Sequence, residues 1–125
     1  IGNFIRDAIE GKAICINGDG TPYRSYFYAA DFAIWLWTIL FKGASLCPYN
    51  VGSKKAYSIS DLAGIIASSF DPKVSITIGE TSTDESAPSR YVPEVSLAEI
   101  ELGLSEKIPL SDALMRTLDW LRFKQ

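Results

Sequence analysis

Two arginines carry the chemistry for which this sequence can be read. Arg24 follows the glycine-bracketed turn Gly18-Asp19-Gly20 and stands among Tyr23, Tyr26 and Phe27, while Arg90 is followed by Tyr91 and Val92. A guanidinium with aromatic or apolar flanks, in a loop or at a strand edge, suits a diphosphate. Its planar fork presents several N–H donors at once, and hydrogen bonds to an anionic oxygen are the strong ones. The competing reading is an ordinary surface arginine in an ion pair, for which Asp31, Asp84, Glu85 and Glu94 are the available partners.

Other chemistry is excluded by residue type. The chain has no histidine, so histidine acid/base work and histidine metal sites are absent from these 125 residues. Its two cysteines, Cys15 and Cys47, lie too far apart for a zinc motif and too few for a disulfide framework. Cys15, between Ile14 and Ile16, reads as a buried structural thiol. No tyrosine is followed four residues later by lysine, and a serine nucleophile would have no histidine as its base. The Gly18-Asp19-Gly20 turn lacks a third glycine at position 23, which is tyrosine, and no helix follows at once to offer its N–H groups to a phosphate. It reads as a turn and not as a cofactor loop. No catalytic residue is therefore assigned. The net charge of -3, with lysines and arginines scattered, argues against nucleic acid as the partner.

The elements that must hold these residues follow from periodicity. Phe4, Ile5, Ala8 and Ile9 share one helical face, stopped by Gly11. Positions 13–17 read as a strand leaving through the glycine turn, and 24–28 as an extended aromatic run. Asp31 is expected to cap the apolar helix over 32–41, which Lys42-Gly43 ends. That helix spans roughly 15 Å, about half a bilayer core, so it does not cross a membrane. It is apolar all round, with Trp35 and Trp37 on nearly opposite faces, and such a helix is normally buried on every side. Tyr49-Asn50-Val51-Gly52 reads as a short buried strand. Ser58 to Asp61 opens the next helix, whose face is Leu62, Ile65, Ile66 and Phe70, stopped by Asp71-Pro72. Positions 74–78 alternate as a strand, and 81–89 read as a loop. Ser96-Leu97-Ala98-Glu99 is a capping box for a helix ended by Gly103, and Pro109 sets up a last helix buried through Leu110, Ala113, Leu114, Leu118 and Leu121. The whole is one α/β domain over 1–125, with about five helices and three to five short strands.

In their order these motifs resemble the carboxyl-terminal part of the NAD-dependent epimerase/dehydratase family, the extended short-chain dehydrogenases. The matching residues are Gly18, Gly20, Arg24 and Asp31, then Tyr49-Asn50-Val51-Gly52, Ser58 to Leu62, Arg90, Leu102-Gly103, and Pro109 to Trp120. Two positions depart from the family pattern: Ser25 and Glu94 stand where an acidic residue and an aspartate are usual. The resemblance implies that Arg24 and Arg90 hold a nucleotide diphosphate. It places Cys15 and Asn17 beside the base and Asn50 near the sugar end. It also implies that the chain is the substrate-binding fragment of an NAD(P)-dependent nucleotide-sugar epimerase or dehydratase, working in the cytoplasm. The cofactor loop and catalytic Tyr/Lys pair would lie in an amino-terminal Rossmann domain, so this piece alone would bind no NAD(P) and be inactive. The apolar helix would pack on that domain, and left open it would drive assembly into a homo-oligomer. The alternative is a non-catalytic nucleotide-binding or protein-interaction module using the same surface.

Overall fold

A computed structural model describes residues 1–79 and 87–123. Among them are five helices and five short strands, an α/β arrangement of the expected kind. In chain order they are α1 (Gly2–Ile9), β1 (Ile14–Ile16), β2 (Tyr23–Arg24), α2 (Ala29–Lys42), β3 (Tyr57–Ser58), α3 (Ile59–Ala67), β4 (Ile76–Ile78), β5 (Arg90–Tyr91), α4 (Ser96–Leu102) and α5 (Leu110–Arg122).

The strands form two sheets. β1 pairs in parallel with β4, Cys15 opposite Thr77. β2 is the centre of the other sheet, antiparallel to β3 and parallel to β5. The hydrophobic side chains gather into two clusters. The larger joins Ile5 and Ala8 of α1, Ile14 and Ile16 of β1, Leu62 and Ile66 of α3, and Leu114 and Leu118 of α5. The smaller joins Trp35 of α2 to Val95, Ala98 and Leu104 around α4. In it, Phe27 meets Trp35 edge-to-face, with ring centroids 5.2 Å apart.

Sequence and structure agree where local chemistry decides. Ser58 and Asp61 close a full capping box on α3: the Ser58 Oγ accepts from the Asp61 N–H, and an Asp61 oxygen accepts from the Ser58 N–H. Gly103 ends α4 in the left-handed region at φ 65°, which suits a residue without Cβ.

They differ where a distant segment intervenes. Asp31 does not cap α2. The helix starts earlier, at Ala29, with Tyr28 as its N-cap and no side-chain cap bond. Asp31 is buried, and its Oδ2 accepts the N–H groups of Lys107 and Ile108, both at 2.9 Å. Ser96 and Glu99 form no capping box. The N-cap is Val95, Glu94 accepts the Ser96 N–H, and Glu99 pairs with Lys54. Tyr49 to Gly52 is not a strand, because no backbone among the described residues pairs with it in a ladder. It is fixed by side chains: the Tyr49 hydroxyl donates to Glu101, and Asn50 Nδ2 donates to the Glu94 carbonyl. Helix α3 ends at Ala67, four residues ahead of the Asp71-Pro72 stop, with Ser68 as its C-cap.

Helix α2 is buried on one side only. Trp35 is 2% exposed and Trp37, two residues on, is 61% exposed. Phe32 and Leu36 are exposed with Ile34, Leu40 and Phe41. The Trp37 and Phe41 rings stack on each other along this open face, centroids 5.7 Å apart. No helix among the described residues is long and apolar enough to cross a membrane.

Candidate functional site

The turn that leads to Arg24 is built around one glycine. Gly20 has φ +79°, and a Cβ there would collide with the Ser60 hydroxyl at the start of α3. Its carbonyl accepts the Ser60 N–H, and the Asp19 carboxylate accepts the backbone N–H and the hydroxyl of Thr21. The chain is thereby turned from β1 directly into β2. No helix follows the turn, so the strand–loop–helix unit that would seat a dinucleotide is not formed there.

Strand β2 then meets β5. Tyr23 lies opposite Arg90, and Arg24 opposite Tyr91. This parallel pairing brings the two arginines, remote in sequence, to adjacent register positions. Directly opposed residues share a face, so Arg24 and Arg90 leave the ladder on opposite faces. Both guanidinium groups nevertheless engage Tyr23. Arg24 Nη1 donates to the Tyr23 carbonyl at 2.7 Å, and to the Ser89 carbonyl and hydroxyl at 3.4 and 3.3 Å. The Arg90 guanidinium carbon lies 5.6 Å from the Tyr23 ring centroid. Neither arginine forms an ion pair among the described residues: Asp31 and Glu94 are used elsewhere, and Asp84 and Glu85 lie outside the described residues. Burial pushes the nearby Tyr26 phenol up, against the opposing pull of the Arg24 charge.

The other candidates separate. Cys15 and Asn17 line a cleft of about 380 Å³ between α1 and the glycine turn, together with Asn3, Asp7 and Asp19. Cys15 is exposed and not the buried thiol that its isoleucine neighbours suggest. In β1 only alternate residues face the helices, so Ile14 and Ile16 are buried and Cys15 points the other way, where the Thr77 hydroxyl donates to its sulfur at 3.2 Å. Asn50 lines a different cleft, of about 550 Å³, with Ser25, Tyr91 and Glu94. The arginine side chains line neither cleft, although Ser25 and Tyr91, their neighbours in sequence, line the second. The structure therefore sets Arg24 and Arg90 on adjoining strands with their side chains on opposite faces, keeps Cys15 with Asn17, and sets Asn50 apart.

Two further groups support the site and had no signal in the sequence. Ser89 holds Arg24 from the end of a polar stretch without periodicity. Ser53 is buried; its hydroxyl donates to Glu106 at 2.6 Å, and its carbonyl accepts from Ser25 at 2.5 Å. Ser25 is one of the two departures from the family pattern, and here it is a donor to a carbonyl, a role that an ionised carboxylate could not fill.

The described residues form a lobe of helices on short strand pairings, with a glycine turn that leaves a strand without opening a helix and two arginines on adjoining strands. No family model matches the chain. The chain is 35% identical over 122 residues to the trifunctional UDP-glucose 4,6-dehydratase/UDP-4-keto-6-deoxy-D-glucose 3,5-epimerase/UDP-4-keto-L-rhamnose-reductase of Arabidopsis thaliana, covering 96% of this chain and 18% of that enzyme. It is 28% identical over 114 residues to UDP-glucuronic acid decarboxylase 3 of the same plant, covering 91% of this chain and 32% of that one. Among solved structures it matches the Bordetella bronchiseptica enzyme WbmF in complex with NADH at TM-score 0.85 and 24% identity, over 98% of this chain and 36% of that one. It matches UDP-glucuronic acid 4-epimerase of Bacillus cereus, in complex with UDP-glucuronic acid and NAD, at TM-score 0.80 and 23% identity, over 98% and 39%. In sequence and fold the chain resembles the carboxyl-terminal part of the NAD-dependent epimerase/dehydratase family, and it spans 18–32% of the length of these two curated relatives.

Proposed function

We propose that this chain is the substrate-binding portion of an NAD(P)-dependent nucleotide-sugar epimerase, dehydratase or decarboxylase, and that Arg24 and Arg90 grip the substrate diphosphate. The observation that carries the reading is the parallel pairing of β2 with β5, which sets the two arginines at adjacent register positions with no carboxylate partner among the described residues. Because they leave opposite faces of a two-residue ladder, the diphosphate would lie across the strand ends and be held from both sides. The cleft with Cys15 and Asn17 would take the base. The cleft with Asn50 would take the sugar end, with the Asn50 amide already spent on the Glu94 carbonyl.

The redox step and the proton transfer would belong to an amino-terminal Rossmann domain of the parent, which would bring the NAD(P) and the tyrosine–lysine pair. On this reading the 125-residue chain binds a nucleotide-sugar without turning it over. Calorimetry with UDP-glucose and dTDP-glucose tests the binding. Arg24→Ala and Arg90→Ala should each weaken it by about 1.5–3 kcal/mol, the range for a hydrogen bond to a charged group. Arg→Lys should weaken it too, since the planar fork is lost. Unchanged affinity in both alanine variants would overturn the assignment. Turnover of either sugar by the chain alone, with NAD added, would overturn the division of labour.

A further inference from the structure

We infer that Tyr23 is the shared positioning residue of the two arginines, holding Arg24 by its backbone carbonyl and Arg90 by the face of its ring. The inference rests on the reading that both arginines grip a diphosphate. Its ground is geometric. Tyr23 immediately precedes Arg24 on β2 and lies directly opposite Arg90 on β5. Between them its backbone carbonyl and its ring reach both guanidinium groups, at 2.7 Å and 5.6 Å.

The two holds differ in what they leave free. A guanidinium over a ring is attracted through its flat face, so all of its N–H groups remain in the plane and available. Arg24 spends Nη1 on the Tyr23 and Ser89 oxygens, and its Nε and Nη2 have no bond to a described residue. Among the described residues that leaves it one two-donor edge, the fork that matches a phosphate. Long side chains otherwise lose rotamer freedom when a ligand fixes them. Tyr23 supplies that order beforehand, to one arginine through a group every residue possesses and to the other through a group only an aromatic provides.

That asymmetry makes the inference testable with UDP as the probe. The 125-residue chain and its variants would be titrated by calorimetry. Tyr23→Phe keeps the ring and should bind UDP within twofold of the unaltered chain. Tyr23→Leu should weaken UDP roughly two- to fivefold, the equivalent of an exposed cation–π contact. In the Tyr23→Leu background, Arg90→Ala should cost less than it does alone, whereas Arg24→Ala should cost the same, because the carbonyl survives the substitution. A general loss of structure would not produce that difference. A second readout needs no variant: in the unaltered chain the Arg90 δ-methylene protons should resonate upfield under the ring, and an ordinary shift would overturn the inference whatever the variants do. Full UDP affinity in Tyr23→Leu, with Arg24→Ala and Arg90→Ala both impaired, would overturn the positioning role and leave the diphosphate grip standing. If neither arginine variant loses affinity, both fall.

Discussion

The α1–β1–α3–α5 half and the α2–α4 half each bury an apolar cluster but finish differently. In the first, each helix turns a striped face inward, and Leu62, Ile66 and Leu118 are almost wholly buried. In the second, α2 is apolar around its circumference and buries one side, on Val95, Ala98 and Leu104. The first half buries its stripes on one another, whereas α2 carries more apolar surface than its own neighbours cover. The difference shows that hydrophobic content does not by itself report a core: the angular spread of the apolar residues shows how many neighbours a helix expects. Helix α2 expects two, and on the proposed reading the second is the Rossmann domain.

The largest effect that would break this contrast comes from two tryptophans on one helix. Trp35→Ala should cost about 3–5 kcal/mol in chemical denaturation, as for a buried aromatic. Trp37→Ala should stay within about 0.5 kcal/mol, as for an exposed site. Equal costs would mean that α2 is covered on both sides. Paired with Phe41→Ser, Trp37→Ser should also lower any concentration-dependent rise in light scattering, since the open face is where copies would adhere. Next in size is Asp31, whose carboxylate bonds the segment entering α5 and so ties the two halves together. Asp31→Ala should cost about 1.5–3 kcal/mol, measured by urea unfolding, because two backbone N–H groups lose a buried, charged acceptor. A smaller loss of about 1 kcal/mol is expected for Ser58→Ala, which removes the α3 cap within the self-sufficient half.

The smallest effect concerns Glu94, at the entry to α4. The Ser96 hydroxyl, and then its N–H, hold this carboxyl below the usual carboxylate range. A lowered native pKa means that the native state binds the proton less readily than the unfolded chain. The support is therefore complete above the ordinary carboxylate pKa and is lost as pH falls through the lowered value. NMR titration should find the Glu94 midpoint rising toward the ordinary range in Ser96→Ala, and an unmoved midpoint would remove Ser96 as the cause.

These cases also mark what could be read from sequence. Helices α3 and α5 were legible because a capping residue and a 3.6-residue stripe act within one or two turns. The open side of α2 was legible in outline, since a helix with no polar face needs more than one partner. Asp31 was not, because the N–H groups that claim it belong to Lys107 and Ile108. Ser96 looked like a cap until Glu94, two residues earlier, took its N–H. Cys15 misled because two isoleucine neighbours suggest burial, whereas strand alternation puts the residue between them on the opposite face. Arg24 and Arg90 could be named from their flanks, but their adjacency depends on a register that no local pattern encodes.

The β2–β5 pairing also has a consequence in time. Between its strands the chain must complete α2, β3, α3 and β4. Closing so long a loop costs entropy that two residues of ladder hardly repay on their own, and contacts of this separation tend to form slowly. The arginine pair should therefore assemble after the helices that flank it. In a stopped-flow refolding experiment, far-UV ellipticity should recover before the ability to bind UDP. Nucleotide affinity would then serve as a clock for the last step of folding, and a variant that stalls short of it would look helical and bind nothing.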